Sequence, residues 1–341
     1  MTWFSIPTAL ALLIACSGAV FAQEDERLQA SWEVYQERHI RQTGRVVDDG
    51  NGGISHSEGQ GYAMLLAAEL GDAGVFARVW SWTLNNLMVR DDGLAAWRFD
   101  PDENPPIGDI NNASDGDLLI AHALALAGEK WGRAEYVEQA QLLARTIRED
   151  LLREAGGYTL LLPGAEGFLD EQAYTVNPSY WIFHSIEKLQ EVDPHPQWDA
   201  LYDSGLRLLK AAAEEYDALP DWVGVTQEGE LVQPEGFDWV SGYNALRIPL
   251  YLRLAQEEER TIFAAFAKQW GAAGALFPVV HDLADADEVE YNGDPAFSAL
   301  RSLLNCEGLQ ELPLLSEESL YYPATLLLFS HLLRARGLAE C

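Results

Sequence analysis

The sequence predicts an all-α protein, a closed toroid of paired helices whose only β-structure is short hairpins on loops. Three observations predict it. Helical periodicity recurs almost throughout the chain after residue 22, strand signals are few and short, and long Gly/Pro/Asp/Asn-rich connections alternate with the helices. Helices are expected near residues 25–42, 58–70, 73–88, 115–131, 133–153, 178–191, 197–217, 241–255, 257–271, 296–304 and 317–336. The second follows from the apolar run Ala63 to Leu70, and the fourth from the run Leu118 to Ala127, where Leu119, Ala123 and Leu126 share one side. Ser114 stands three residues before Asp117, the spacing of an N-terminal cap, and Gly156-Gly157 reads as the stop after residue 153. Strand signals are confined to Gly157–Leu162 and Trp222–Val232. The connections Asp91–Asn112 and Leu162–Pro178 are too long for mere linkers, and they carry Trp97, Phe99, Phe168 and Tyr174. Paired in this way, the helices would leave a cleft at one end, lined by helix N-termini and loops.

Residues 1–22 read as an export signal. A short apolar run, Ile6 to Ala15, precedes small residues and Val20-Phe21-Ala22, which fits a signal-peptidase site before Gln23. The run is too short to span a bilayer, and no later segment is long and apolar enough. Leu13-Ile14-Ala15-Cys16 also resembles a lipoprotein site, which would tether the chain by a lipid on Cys16. Either route gives an exported protein, periplasmic or secreted, with residues 23–341 as one catalytic domain. At 48% hydrophobic residues that domain can bury a large core. Cys306 and Cys341 would remain, able to pair in an oxidising compartment, although spacing alone does not show proximity.

The formal net charge of −32 excludes nucleic acid and anionic membrane surfaces as partners. A neutral polysaccharide is compatible with it, and a cationic one such as chitosan would be attracted. Only four lysines stand against 18 arginines, a balance that also fits adaptation to a salty habitat, where the field is screened.

Two acidic segments carry the chemistry. Ser57-Glu58-Gly59-Gln60-Gly61-Tyr62 and Ala113-Ser114-Asp115-Gly116-Asp117 each place carboxylates at the mouth of an apolar helix. Two such mouths facing one cleft would supply the acid and the polar partner that cutting a glycosidic bond requires. Taken singly, Glu58 is also a first-turn glutamate favoured by the helix dipole, and Asp115 a helix cap.

Together the two segments, with Ile120-Ala121, Ala123-Leu124, Ala127 and Trp131, resemble the signature of glycoside hydrolase family 8. Gly44-Arg45-Val46-Val47-Asp48 and Asn177-Pro178-Ser179-Tyr180 extend the resemblance over nearly the whole chain. It is greatest to the endoglucanases that accompany bacterial cellulose synthases. The resemblance implies an (α/α)6 barrel, inversion at the anomeric carbon and β-1,4-glucan as substrate, with no metal or organic cofactor. It makes Glu58 the general acid, which must stay protonated until the leaving oxygen takes its proton. It places Asp115 in the same subsite, and suggests a role in trimming glucan beside the cellulose-export machinery.

One position departs from the pattern. Ser241-Gly242-Tyr243-Asn244-Ala245-Leu246-Arg247 aligns with a segment where many members carry an aspartate as general base, and here that position is Asn244. An amide holds a water but cannot take its proton at ordinary pH. Asp238 is a candidate base, with Asp221, Glu235 and Asp115 beside it. Sugar platforms are expected among Trp97, Tyr180, Trp181, Trp222, Trp239 and Tyr243, whereas Trp80, Trp82 and Trp131 fall within helical patterns and read as core. Arg247 either orients a carboxylate of the site or forms a structural pair. Two rival functions follow. One is the same fold acting on chitosan, xylan or mixed-linkage glucan, and the other is a glucan-binding scaffold impaired by Asn244.

Overall fold

The computed structural model describes residues 9–170, 172–271, 274, 276–304 and 312–338, with the backbone alone at 9–22, 302 and 303. Eleven α-helices occur among them: α1 (Ala9–His39), α2 (Ser57–Leu70), α3 (Ala73–Asn86), α4 (Ser114–Trp131), α5 (Ala134–Thr146), α6 (Phe183–Val192), α7 (Pro196–Tyr216), α8 (Ile248–Leu254), α9 (Arg260–Trp270), α10 (Pro295–Leu304) and α11 (Tyr321–Ala335). Neighbour packing runs α2–α4–α6–α8–α10–α11, and the Tyr62 and Phe329 rings, 5.3 Å apart, bring α11 back to α2. The ring is closed. It is the expected (α/α)6 barrel.

Sequence composition explains which helices form the inner wall. Helices α2, α4, α8 and α11 are apolar almost all round, and nearly every residue of each is buried. Helix α3 buries only Val75, Phe76, Val79, Trp80 and Thr83, a stripe at three- and four-residue spacing, and α7 buries a similar stripe. These lie outside: α3 packs on α2, α5 on α4 and α6, α7 on α6 and α9, and α1 on α11.

Several boundaries differ from expectation. Helix α1 begins at Ala9 rather than near residue 25. The segment 133–153 is interrupted: α5 ends at Thr146, a π-turn covers Ile147–Leu151, and the chain enters strand β3. Gly156 and Gly157 then form the turn of a hairpin, both with positive φ (56° and 77°), the twist that glycine tolerates and a two-residue hairpin needs. The predicted helices at 178–191 and 241–255 each open with a separate 3-10 turn, Pro178–Tyr180 and Ala245–Arg247, before α6 and α8.

The strands are short, as expected. They are β1 (Ser55–His56), β2 (Arg98–Phe99), β3 (Leu152–Ala155), β4 (Tyr158–Leu161), β5 (Ala173–Val176), β6 (Val223–Thr226), β7 (Leu231–Val232), β8 (Val240–Ser241), β9 (Phe277–Asp282) and β10 (Val289–Asn292). They pair as β1-β2, β3-β4, β5-β6-β7 and β8-β9-β10. The β9–β10 hairpin has no counterpart in the sequence reading. Among the described residues no helix is long and apolar enough to cross a membrane. Cys306 and Cys341 lie outside the described residues.

Candidate active site

Helices α2, α4 and α11 and the turns that open α6 and α8 meet at one cleft among the described residues. His56, Ser57 and Glu58 come from the start of α2, Ala113 and Asp115 from α4, Tyr180 from the turn before α6, Tyr243, Asn244 and Arg247 from the turn before α8, and Tyr321 and Tyr322 from α11. Trp97, Asp48, Asn51 and Ile54 complete the wall from loops. N-terminal N–H groups and helix dipoles at such a rim favour negative charge, which suits a carboxylate-based site.

Glycines bring the two acidic mouths together. A Cβ on Gly61 would stand 2.6 Å from the Leu119 Cβ, and one on Gly116 would stand 2.7 Å from the Ser57 Cβ and 2.8 Å from the Glu58 nitrogen. Helices α2 and α4 therefore touch backbone to backbone at the first turn. That contact sets Glu58 beside Asp115. The capping reading of Ser114 does not hold: Ala113 is the N-cap, the Ser114 hydroxyl is buried without a partner, and the Asp115 Oδ1 takes the Gly116 N–H at 2.7 Å. Asp117 sits deeper, accepting from the Ala95 nitrogen and the Asn112 amide, both at 2.8 Å, and fastens the long loop to α4.

Arg247 joins the carboxylates. Its Nη1 contacts Glu58 Oε1 and lies 3.4 Å from Asp115 Oδ2, while Nη2 donates to Ser179 Oγ at 2.7 Å and to Asn244 Oδ1 at 2.8 Å. Arg247 is 3% exposed, so these pairings are made with little water. Both sequence readings of Arg247 fit this geometry, which is at once a buried ion pair and a hold on the two site carboxylates. Tyr62 donates to Glu58 Oε1 at 3.0 Å and contacts the Tyr251 hydroxyl. Burial pushes the Asp115 carboxyl up to about 7, against the opposing Gly116 N–H and the nearby His56.

Asn244 is held from both sides. Its Nδ2 donates to Asp221 Oδ2 at 3.3 Å and its Oδ1 accepts from Arg247. A flipped amide would set donor against donor and acceptor against acceptor, so this orientation is fixed by its neighbours. Asp221 also accepts from the Gly242, Ala245 and Asn244 nitrogens, at 2.8, 2.9 and 3.3 Å. Burial raises its carboxyl and those four donors oppose the rise. It organises the turn rather than facing the cleft.

The predicted residues thus fall into two groups. Glu58, Asp115, Trp97, Tyr180, Tyr243, Asn244 and Arg247 share one cleft. Trp222 stands beside it, 6.2 Å from Tyr180, in a cluster with Phe168 and Phe237. Asp238 and Glu235 are exposed on the segment before β8, away from the cleft lining. Trp181 is no platform: it is 1% exposed, with its Nε1 donating to the Leu201 carbonyl in the core. Trp239 packs edge-on against Tyr216 outside the cleft. Trp80 is buried, and Trp82 and Trp131 pack against the core as expected.

Sequence reasoning missed His56. Its Nδ1 accepts the Gly59 N–H at 3.0 Å, capping α2, its Nε2 lies 3.4 Å from Asp48 Oδ2, and its Nδ1 lies 3.7 Å from Glu58 Oε2. A histidine immediately before an acidic helix mouth was the available signal.

Known proteins match this chain in sequence and fold. The family model described as glycosyl hydrolases family 8 matches residues 6–336. A "probable endoglucanase" of Novacetimonas hansenii is 35% identical over 328 residues, covering 95% of this chain and 96% of the relative. Among solved structures, the endo-beta-1,4-glucanase CMCax from Acetobacter xylinum superposes with a TM-score of 0.85 at 35% identity, over 93% of this chain and 99% of that one. Endoglucanase Cel10 from Klebsiella pneumoniae gives 0.82 at 31% identity, over 90% and 99%. With the closed helical ring and the paired carboxylates at its mouth, these matches place the chain in family 8 of the glycosyl hydrolases, as a glycoside hydrolase.

Proposed function

We propose that this chain is an exported endo-β-1,4-glucanase that cuts glucan chains with inversion, acting during bacterial cellulose export. The observation that carries the reading is the meeting of Glu58 and Asp115 on one buried guanidinium, inside a cleft walled by Trp97, Tyr180 and Tyr243. Ring faces at those positions suit the C–H faces of pyranose units, and the Phe168–Trp222–Phe237 cluster continues the aromatic surface past Tyr180. In this reading Glu58 protonates the departing glycosidic oxygen, Asp115 holds a sugar hydroxyl at the cleavage point, and water attacks C1 from the opposite face. The names of the relatives support glucan as substrate. Export is supported by the apolar run and Val20-Phe21-Ala22, and the tie to cellulose synthesis by sequence resemblance.

The test is the viscosity of carboxymethylcellulose with wild-type protein and with Glu58→Gln. A rapid fall with the wild type is expected, slowed in the variant by ~10²–10⁴-fold, the usual contribution of a positioned acid. Equal rates for the two proteins would remove Glu58 from the role. A second reading, cleavage of chitosan, is favoured by the net charge of −32. It would be adopted if the wild type left carboxymethylcellulose intact and depolymerised chitosan.

A further inference from the structure

We infer that Asp48 is the general base of this chain, replacing the aspartate that Asn244 displaces. The inference rests on the glycosidase reading above and deepens it. Among the described residues, three carboxylates line the cleft: Asp48, Glu58 and Asp115. Glu58 is the acid. Asp115 is 2% exposed, with one oxygen on the Gly116 N–H and the other on Arg247. Asp221 is enclosed by four donors, and Asp238 and Glu235 are exposed and are not among the residues that line the cleft.

Asp48 is placed and oriented for the task. Its backbone is pinned, the nitrogen donating to Ile54 O at 2.9 Å and the carbonyl accepting from Gly53 N at 2.9 Å. Its Oδ1 accepts the Gly50 N–H at 3.1 Å. Because His56 Nδ1 accepts from Gly59, the ring proton sits on Nε2, which lies 3.4 Å from Asp48 Oδ2. One imidazole therefore lies between the acid and Asp48. The contacts of 3.4 and 3.7 Å on either side of the ring set a ceiling of ~9 Å on the separation of the two carboxylates, which is compatible with the ~6.5–9.5 Å of inverting enzymes. Asp48 and Asn51 also line a second cavity of about 370 Å³ that shares Tyr243 and Tyr322 with the cleft and is large enough for water beside the Asp48 carboxylate.

The step balances without a further reactant. Water oxygen bonds to C1 as the C1–O bond to the leaving sugar breaks. The Glu58 proton goes to the leaving oxygen and a water proton goes to the Asp48 carboxylate, after which both groups re-equilibrate with solvent.

The test uses Asp48→Ala, Asp48→Asn and Asp115→Ala on an activated aryl β-cellooligosaccharide, with and without sodium azide. Asp48→Ala should lose ~10²-fold or more in kcat, and azide should restore turnover with formation of the α-glycosyl azide, identified by NMR. A merely structural role would not yield that product. Turnover within tenfold of wild type would overturn the inference, as would azide rescue confined to Asp115→Ala, or a folded Asp48→Ala that azide does not rescue. Should the alanine variant not fold, Asp48→Asn decides: its kcat/KM profile must lose the acidic limb that the wild type shows. An inactive wild type would instead defeat the glycosidase reading itself.

Discussion

Arg247 and Asn244 show how a single substitution is built into its surroundings. The Asn244 amide gives its N–H to Asp221 and its oxygen to Arg247, so both halves are occupied by a partner of the right polarity. Restoring the usual residue with Asn244→Asp would set two carboxylates about 3.3 Å apart, one of them the buried Asp221. The variant is expected to lose about 1–3 kcal/mol, the cost of leaving a buried polar group mispaired, and to gain no activity. Urea midpoints and carboxymethylcellulose rates would check this. A variant as stable as wild type and faster would mean that Asn244 is a simple defect. The same network shows where the sequence was readable. Glu58 and Asp115 were legible because each sits in a local motif at a helix mouth, and Arg247 because it follows Tyr243 by one turn. Asp48, His56 and Asp221 gain their roles from partners. No residue pattern along the chain reports that Asp221 would enclose the turn at 242–245 or that Arg247 would reach across to Glu58.

At the level of elements, the α2–α4 contact positions Glu58 through glycine. Gly116→Ala would drive a methyl group against Ser57 and the Glu58 nitrogen, atoms of the backbone and of a short, buried side chain that cannot swing aside. Overpacking of this kind costs about 1–3 kcal/mol. Because the displaced atoms belong to the turn that bears Glu58, kcat should fall by more than the stability loss alone would suggest. Ala121→Gly, on the same helix away from the mouth, is the control: it should destabilise by about 1 kcal/mol and leave kcat near wild type. Equal kcat losses in both variants would show that α4 stability, and not the helix contact, sets the rate. Most helices were legible because amphipathic or uniformly apolar periodicity survives in a chain that packs as a ring. The breaks were not. The hairpin replaced the end of the helix predicted at 133–153 because two adjacent glycines with positive φ make a tighter turn than a helix stop. The β9–β10 hairpin was missed because Phe277–Asp282 and Val289–Asn292 are separated by an acidic stretch without a tight-turn signature, and only one flank is well buried.

Across the whole molecule, the packing of α1 on α11 ties the first helix to the last and leaves the excess charge outside. Helix α1 meets α11 through the Tyr35 and Thr325 hydroxyls at 3.2 Å, and Ser31 receives the Leu315 nitrogen at 3.3 Å. The core this encloses is apolar, whereas 54 acidic residues face only 22 lysines and arginines. Pairings such as Arg148–Asp193 and Lys188–Glu129 occupy many of those cations, so the remaining field is one of like charges repelling each other. Salt shortens the reach of that field from ~30 Å at 0.01 M to ~3 Å at 1 M. The melting midpoint should therefore rise by roughly 2–4 °C, about 1 kcal/mol for a chain of this size, between 10 mM and 500 mM NaCl. A flat or falling midpoint would mean that the attractive pairs, weakened by the same salt, outweigh the repulsion. The same titration separates the substrates. Affinity for chitosan oligomers should collapse with salt as counterions replace the polymer, while affinity for neutral β-1,4-glucan, held by ring faces and hydroxyl contacts in the cleft, should stay constant. A glucan affinity that fell in parallel with chitosan would place the binding energy in the acidic surface instead of the aromatic walls.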